Sequence, residues 1–365
     1  MKTLSEKKIE ELKKLFTNSE NKTLKSEIDK LMDKFPENIF LWNIQGMNQT
    51  SLSDYNGAID SFLKCVEFKV RAKDFDNIDK LYSNVAFAYL NLKNNQKAIE
   101  NFKLSLKYEK NSIKNLICLS DIYFSEKKYD ASILYLQKAL NIDENNLEII
   151  IQIGKILLLQ GENEEAQKFV KRAESIDPNN IDIKFILANC YINSNELKEA
   201  ETIYLSILKS DKSNYITYNN LGALYVKLGD FDKAILNLNT SVEINPDYNI
   251  AWSNLGDLYI KKNQLNDAIE ALIWSLGIES DHVPSIRNIA KAYLQKGDFI
   301  LSKKYYLQLI DLESDNPKYY TEFGEMLVAS NNFIEAENYF LKAIKTDNQY
   351  PLAFLALGHL YSVTN

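Results

Sequence analysis

Apolar and small residues fall three and four apart along most of this chain, as at Tyr218, Leu221, Gly222 and Tyr225, or Trp252, Leu255, Gly256 and Tyr259. Spacing of this kind puts one apolar stripe on an α-helix and predicts a helix at each such segment. The pattern also restarts. NNLGALYVKLGDFDKAILNL and SNLGDLYIKKNQLNDAIEAL align without gaps in a register of 34 residues, long enough for two helices and a turn. Units begin at Asp79, Ile113, Leu147, Ile181, Tyr215, Asn249, Val283 and Pro317, so eight complete repeats are predicted over 79–350. A ninth occupies 351–365 as a first helix without its second. Upstream, 39–78 reads as a divergent repeat with a six-residue extension. Residues 1–38 read as a capping helix pair on a degenerate repeat running from Ser5 to Asn38.

In-phase columns carry the physical content. The eighth position is always small: Gly46, Ala86, Ser120, Gly154, Ala188, Gly222, Gly256, Ala290, Gly324, Gly358. The twentieth is small as well, from Ala58 to Ala336, so two helix backbones are expected to cross closely there. Position 7 is apolar from Val85 to Leu357, and position 11 is Tyr in most units. One helix pair has too little core alone, so successive pairs must close on one another as a single all-α solenoid. The chain's 11 Gly and 6 Pro fit this picture, since most sit at position 8, at the turn position 15 or near a repeat boundary.

These columns resemble the tetratricopeptide repeat family, whose pattern is W-x2-L-G-x2-Y followed by Ala, Phe, Ala and Pro. The match is fullest at Trp252, Leu255, Gly256, Tyr259 and Ala268, and at Leu221, Gly222, Tyr225, Ala234 and Pro246. It covers 39–365 well and 5–38 weakly. The resemblance implies a right-handed superhelical α-solenoid of helix–turn–helix repeats, acting as an interaction scaffold for a protein or peptide partner. It also implies that positions 2, 5, 6, 9, 12 and 13 of the first helices line a concave groove.

On those positions the groove divides. Position 12 is apolar throughout, including Phe124, Leu158 and Ile192, and Phe185 adds an apolar residue at position 5. From 215 to 294 the lining turns polar, with Asn219, Asn220, Asn254, Asp257, Arg287, Asn288 and Lys291. Asn220, Asn254 and Asn288 share position 6, where amides one repeat apart can donate to and accept from an extended peptide backbone. That row is similar to the asparagine ladder in the tetratricopeptide arm of O-linked N-acetylglucosamine transferases. Two bland alternatives stay open: Asn bonded within the array or to solvent, and a position-12 stripe used for inter-repeat packing. The expected occupant is an extended segment along 113–294. A chaperone-tail clamp is not expected, because Phe185 and Ile250 stand where its basic residues belong.

Chemistry of other kinds is not expected. His282 and His359 are 77 residues apart, with no Cys or His at ligand spacing, so neither metal nor cofactor is predicted and no catalytic group is assigned. No phosphate-cradling glycine loop and no nucleophile elbow occurs. A net charge of −7 disfavours nucleic acid and anionic membrane as partners. The excess of 40 Asn reads as coding bias rather than function. Cys65, Cys118 and Cys190 are expected as buried small hydrophobes, and the charged start MKTLSEKKIE lacks a signal core. A cytoplasmic, non-enzymatic binding scaffold is therefore expected. The alternative is the substrate-recruiting arm of a larger enzyme of the O-linked N-acetylglucosamine transferase type. The apolar face of 351–365 fits a fragment of a longer chain, self-association through that helix, or a helix folded back as a cap.

Overall fold

The computed structural model describes residues 4–364. Met1 to Thr3, the start of the expected capping pair, and Asn365, the end of the expected last helix, lie outside them. The described residues hold 21 helices and no strand. They form two compact units that divide between Asn179 and Asn180. The first unit contains α1 (Glu6–Thr17), α2 (Asn21–Met32), α3 (Ile39–Ser51), α4 (Tyr55–Ala72), α5 (Ile78–Asn91), α6 (Asn95–Tyr108), α7 (Ile113–Ser125), α8 (Tyr129–Leu140), α9 (Leu147–Gln160) and α10 (Asn163–Ile176). The second contains α11 (Ile181–Asn193), α12 (Leu197–Ser210), α13 (Tyr215–Leu228), α14 (Phe231–Ile244), α15 (Asn249–Lys261), α16 (Leu265–Ile278), α17 (Val283–Lys296), α18 (Phe299–Leu312), α19 (Pro317–Ala329), α20 (Phe333–Thr346) and α21 (Pro351–Thr364). Each unit is an α-solenoid of helix–turn–helix pairs.

Asparagine and aspartate set where many helices begin. Asn38, Asn146, Asn180 and Asn214 cap α3, α9, α11 and α13 by accepting from the backbone N–H three residues on. Asp54, Asn94, Asp230 and Asp298 do the same for the second helices α4, α6, α14 and α18. Each such cap is worth about 1 kcal/mol of an otherwise orphaned donor. The Asn excess thus has a structural use that composition alone did not reveal.

One backbone feature repeats without regard to residue type. Position 15 of every complete unit is left-handed: Lys93, Lys127, Gly161, Asn195, Gly229, Asn263, Gly297 and Asn331 have φ from 57° to 82°. Ser19 and Ser53 take the same conformation, with φ of 58° and 61°, in the two upstream units. The chain must reverse within a turn of about three residues, and a single αL residue does so while closing the first helix. In 39–78 the second helix, α4, runs to 18 residues against 14 for α6, which absorbs most of the extension.

Packing within a pair is steric and specific. A Cβ at Gly222 would lie 2.5 Å from Leu238 Cγ, one at Gly256 2.4 Å from Leu272 Cγ, and one at Gly324 2.4 Å from Phe340 Cε1. The small eighth position therefore receives the large residue at position 24, the column that holds the Phe of the family pattern. From Phe62 through Phe102, Tyr204, Leu272 and Tyr306 to Phe340, the side chains named in that column are at most 2% exposed. The twentieth position also meets the eighth: Ser120 and Ser132 hydroxyls are 2.6 Å apart, and Ser302 donates to the Ala290 carbonyl at 2.9 Å. Buried serines tie the far ends of a pair together, with Ser241 donating to the Tyr215 carbonyl at 2.8 Å and Ser275 to Asn249 at 3.1 Å. Trp252 Nε1 donates to the Pro246 carbonyl at 2.8 Å, fixing the turn before α15. Gly358 on α21 has nothing within 4 Å of its Cβ direction.

Candidate binding groove

In the second unit, first helices α13, α15, α17 and α19 place position 6 at Asn220, Asn254, Asn288 and Glu322. Asn219, one residue before Asn220, is buried and organises the row. Its amide nitrogen donates to Asn220 Oδ1 at 3.3 Å, and its Oδ1 accepts from Asn254 Nδ2 at 2.8 Å. Part of the amide capacity is therefore spent inside the array. Asn220 keeps its NH2 group, Asn254 its carbonyl oxygen and one proton, and half-buried Asn288 makes no side-chain hydrogen bond among the described residues.

An ion-pair cluster follows the row. Arg287 Nε donates to both Glu322 carboxylate oxygens, at 3.1 and 2.9 Å, and its NH2 group also bonds Glu322. Lys291 Nζ lies 3.3 Å from the same carboxylate, whose side chain is 14% exposed. Burial works to raise the Glu322 carboxyl, but the Arg287 hydrogen bonds and the Lys291 charge outweigh it and hold it below the usual value. Asp257 pairs with Lys261 on its own helix at 2.7 Å. Arg287, Lys291 and Asp257 thus have partners within the unit, which leaves Asn288 the least committed of the polar set.

The apolar residues lie closer to the core than a free groove surface would. Phe185 and Ile192 are half-buried and pack on the cluster built around Tyr204, Leu221 and Leu238, with Phe185 and Tyr204 ring centroids 6.2 Å apart. Val226 joins the same cluster, while Leu294 and Val328 pack on the one around Tyr306 and Phe323. In the first unit Leu158 is half-buried. Phe124 is 39% exposed and leans on Tyr129, with centroids 5.7 Å apart. Inter-repeat packing accounts for much of the position-12 stripe.

The first unit has concave surface that sequence reasoning passed over. A cavity of about 700 Å³ between α3 and α5 is lined by Phe40, Asn43, Met47, Lys80, Asn84 and Phe87, among others. A second, of about 1010 Å³, shares Phe40, Asn43 and Met47 and reaches α1 at Phe16. Its signal was weak because α3 belongs to the divergent unit, where position 2 is Phe40 and position 9 is Met47 without column support. His282 caps the approach to α17, its Nδ1 2.8 Å from Ser285 Oγ. Among the described residues no group of three potential ligands could hold a metal ion. No helix there is long and apolar enough to cross a membrane.

Profiles described as tetratricopeptide repeat match residues 79–112, 123–182, 171–224, 215–248, 250–282 and 288–316, which together span more than half of the chain. Among solved structures, a tetratricopeptide repeat protein from Parabacteroides merdae is 17% identical with a TM-score of 0.53, covering 68% of this chain and 99% of its own. Yeast Tom70 is 14% identical with a TM-score of 0.53, over 97% of this chain and 87% of its own. The Cut9–Hcn1 hetero-tetramer of the APC/C contains a chain 13% identical with a TM-score of 0.52, over 96% of this chain and 95% of its own. At these identities the likeness is one of fold. No curated protein matches the chain in sequence.

Proposed function

We propose, from the premise that this chain belongs to the tetratricopeptide repeat family, that its second unit holds an extended protein segment against Asn220, Asn254 and Asn288. Membership makes the chain a protein-interaction scaffold in kind. The finer reading rests on one observation: at three successive repeats the position-6 amides keep donors and acceptors unspent by the array. Amides at repeat spacing suit a peptide backbone, which offers an N–H and a C=O at every residue regardless of its side chains. Rigid helices present those groups without ordering loops on binding, so this preorganisation leaves little of the contact energy to be lost to ordering.

The scaffold is read as non-catalytic and cytoplasmic, the latter supported by the free thiols of Cys65 and Cys118. The exposed side of α21, with Leu355 at 67%, extends the reading to self-association, which Leu355→Glu would abolish in sedimentation. The main test is affinity. The partner segment that the full chain protects from hydrogen exchange is synthesised and titrated against wild type and the Asn220→Ala, Asn254→Ala, Asn288→Ala triple variant. A loss of about tenfold or more is expected, since each buried backbone hydrogen bond is worth about 1 kcal/mol. Equal affinity overturns the ladder while leaving the scaffold role intact.

A further inference from the structure

We propose that the first unit carries a second docking groove, across α1, α3 and α5, whose occupant is a short acidic protein segment with a bulky apolar side chain. This goes beyond the reading above, because it uses different residues in a different unit.

The floor of the groove is apolar and comes from three helices. Phe16 of α1, Phe40 and Met47 of α3 and Phe87 of α5 line the two adjoining cavities, of about 1010 and 700 Å³. Phe40 and Met47 line both, so the cavities adjoin. Met47 is 36% exposed. Its thioether is soft and unbranched and adapts to varied apolar partners. Phe87 is anchored edge-on to Phe102 with centroids 5.1 Å apart, which holds one side of the floor in place.

The rim is where charge selects the occupant. Lys7, Lys14, Lys80 and Lys114 line the cavities, and none has a carboxylate partner among the described residues. Lys80 is held only by the Asn77 side-chain oxygen at 2.7 Å, and Lys114 lies over the Phe87 ring at 4.6 Å. The rim carboxylates are mostly satisfied: Glu10 pairs with Lys13 at 3.5 Å and Glu11 with Lys8 at 2.9 Å. Lys69 is matched by Asp74 at 2.6 Å, and among the described residues Asp79 is the one rim carboxylate without an ion pair. In a chain of net charge −7, an apolar floor ringed by four unmatched lysines is electrostatically complementary to acidic sequence. Asn43 and Asn84 stand beside the floor and can meet the backbone of such a segment. At the general spacing of about 10 Å between packed helices, three first helices would span about 20 Å, which an extended chain crosses in about six residues.

The test uses the full chain and a fluorescent array of hexapeptides, each with two or three Glu or Asp and one Phe, Trp or Leu at varied position. At least one member is expected to bind with a dissociation constant of about 100 μM or tighter, weakening as salt rises from low to physiological strength. Lys-for-Glu versions of that member should not bind. Lys80→Glu with Lys114→Glu should weaken it at least tenfold, and Met47→Asp should do so without changing the circular dichroism melt. Lys25→Glu with Lys107→Glu changes net charge equally on exposed helix faces away from these cavities and should leave affinity within twofold. The triple asparagine variant of the second unit should bind the same probe normally, which separates this groove from the asparagine row. Three results overturn the proposal: no array member binds, the control charge reversal weakens binding as much as the rim reversal, or a hexathymidine probe binds more tightly than every peptide.

Discussion

Replacing Gly256 by Ala tests the packing rule on which the whole array depends. In α15 a Cβ at this position would sit 2.4 Å from Leu272 Cγ and 2.6 Å from its Cδ2, where ordinary carbon contacts are about 3.5–4.0 Å. Leu272 is fully buried and must move by about 1 Å, so overpacking is expected to cost about 1–3 kcal/mol. Against this, removing glycine from a helix interior returns about 1 kcal/mol. Gly277 in the partner helix α16 supplies the control, because nothing lies within 4 Å of its Cβ direction. Gly277→Ala keeps only the propensity gain, reduced somewhat in the last turn. The difference between the two variants therefore isolates the steric term, at about 1–3 kcal/mol. Urea unfolding followed by circular dichroism measures it, with hydrogen exchange in α15 and α16 locating the effect if unfolding is not two-state. Equal stabilities for the two variants would refute the close-approach account of position 8.

Three further outcomes follow from named contacts. At the left-handed turn position, Gly229→Ala should cost about 1 kcal/mol while Lys127→Gly should be neutral or stabilising, because their φ values are 77° and 58°; urea midpoints check both. Glu322 is held below the usual carboxylate value, so its contribution is full above the unfolded pKa and is lost as pH falls through the folded one. Arg287→Ala should weaken that acid-side dependence, leaving the Lys291 contribution, and cost about 2 kcal/mol near neutral pH, read from melts between pH 3 and pH 7. Burial pushes the Cys65 thiol up to about 12, with its Sγ donating to the Ile39 carbonyl at 3.4 Å, so iodoacetamide should label half-buried Cys118 first and Cys65 only on unfolding.

The fold was legible because its determinants are columnar. Small residues such as Gly222 and Gly256 recur in one register, and repetition turns weak single-site signals into a strong one. Position 24 was legible only as the Phe of the family pattern, because Phe102, Tyr204 and Leu272 fill it with residues that share bulk and apolarity rather than identity. The groove was less legible for a different reason. A column assigns a residue to a helix face but not its partner, and partners here come from the next repeat. Asn219 bonds Asn254 at a separation of 35 residues, and Arg287 grips Glu322 at the same separation. Both spend groups that position alone would credit to a ligand. Phe40 and Met47 escaped notice because the divergent repeat that holds them has no second copy to compare.

The central claim is that an extended partner runs along the asparagine row, and site-specific photo-crosslinking tests it most directly. A benzophenone side chain at position 288 would stand in the asparagine row on a first helix, and one in place of Leu236, 66% exposed on α14, would sit on a second helix instead. With the segment identified by hydrogen exchange, the account predicts covalent adducts from position 288, and few or none from position 236. Adducts formed mainly at position 236, or equally at both, would contradict it.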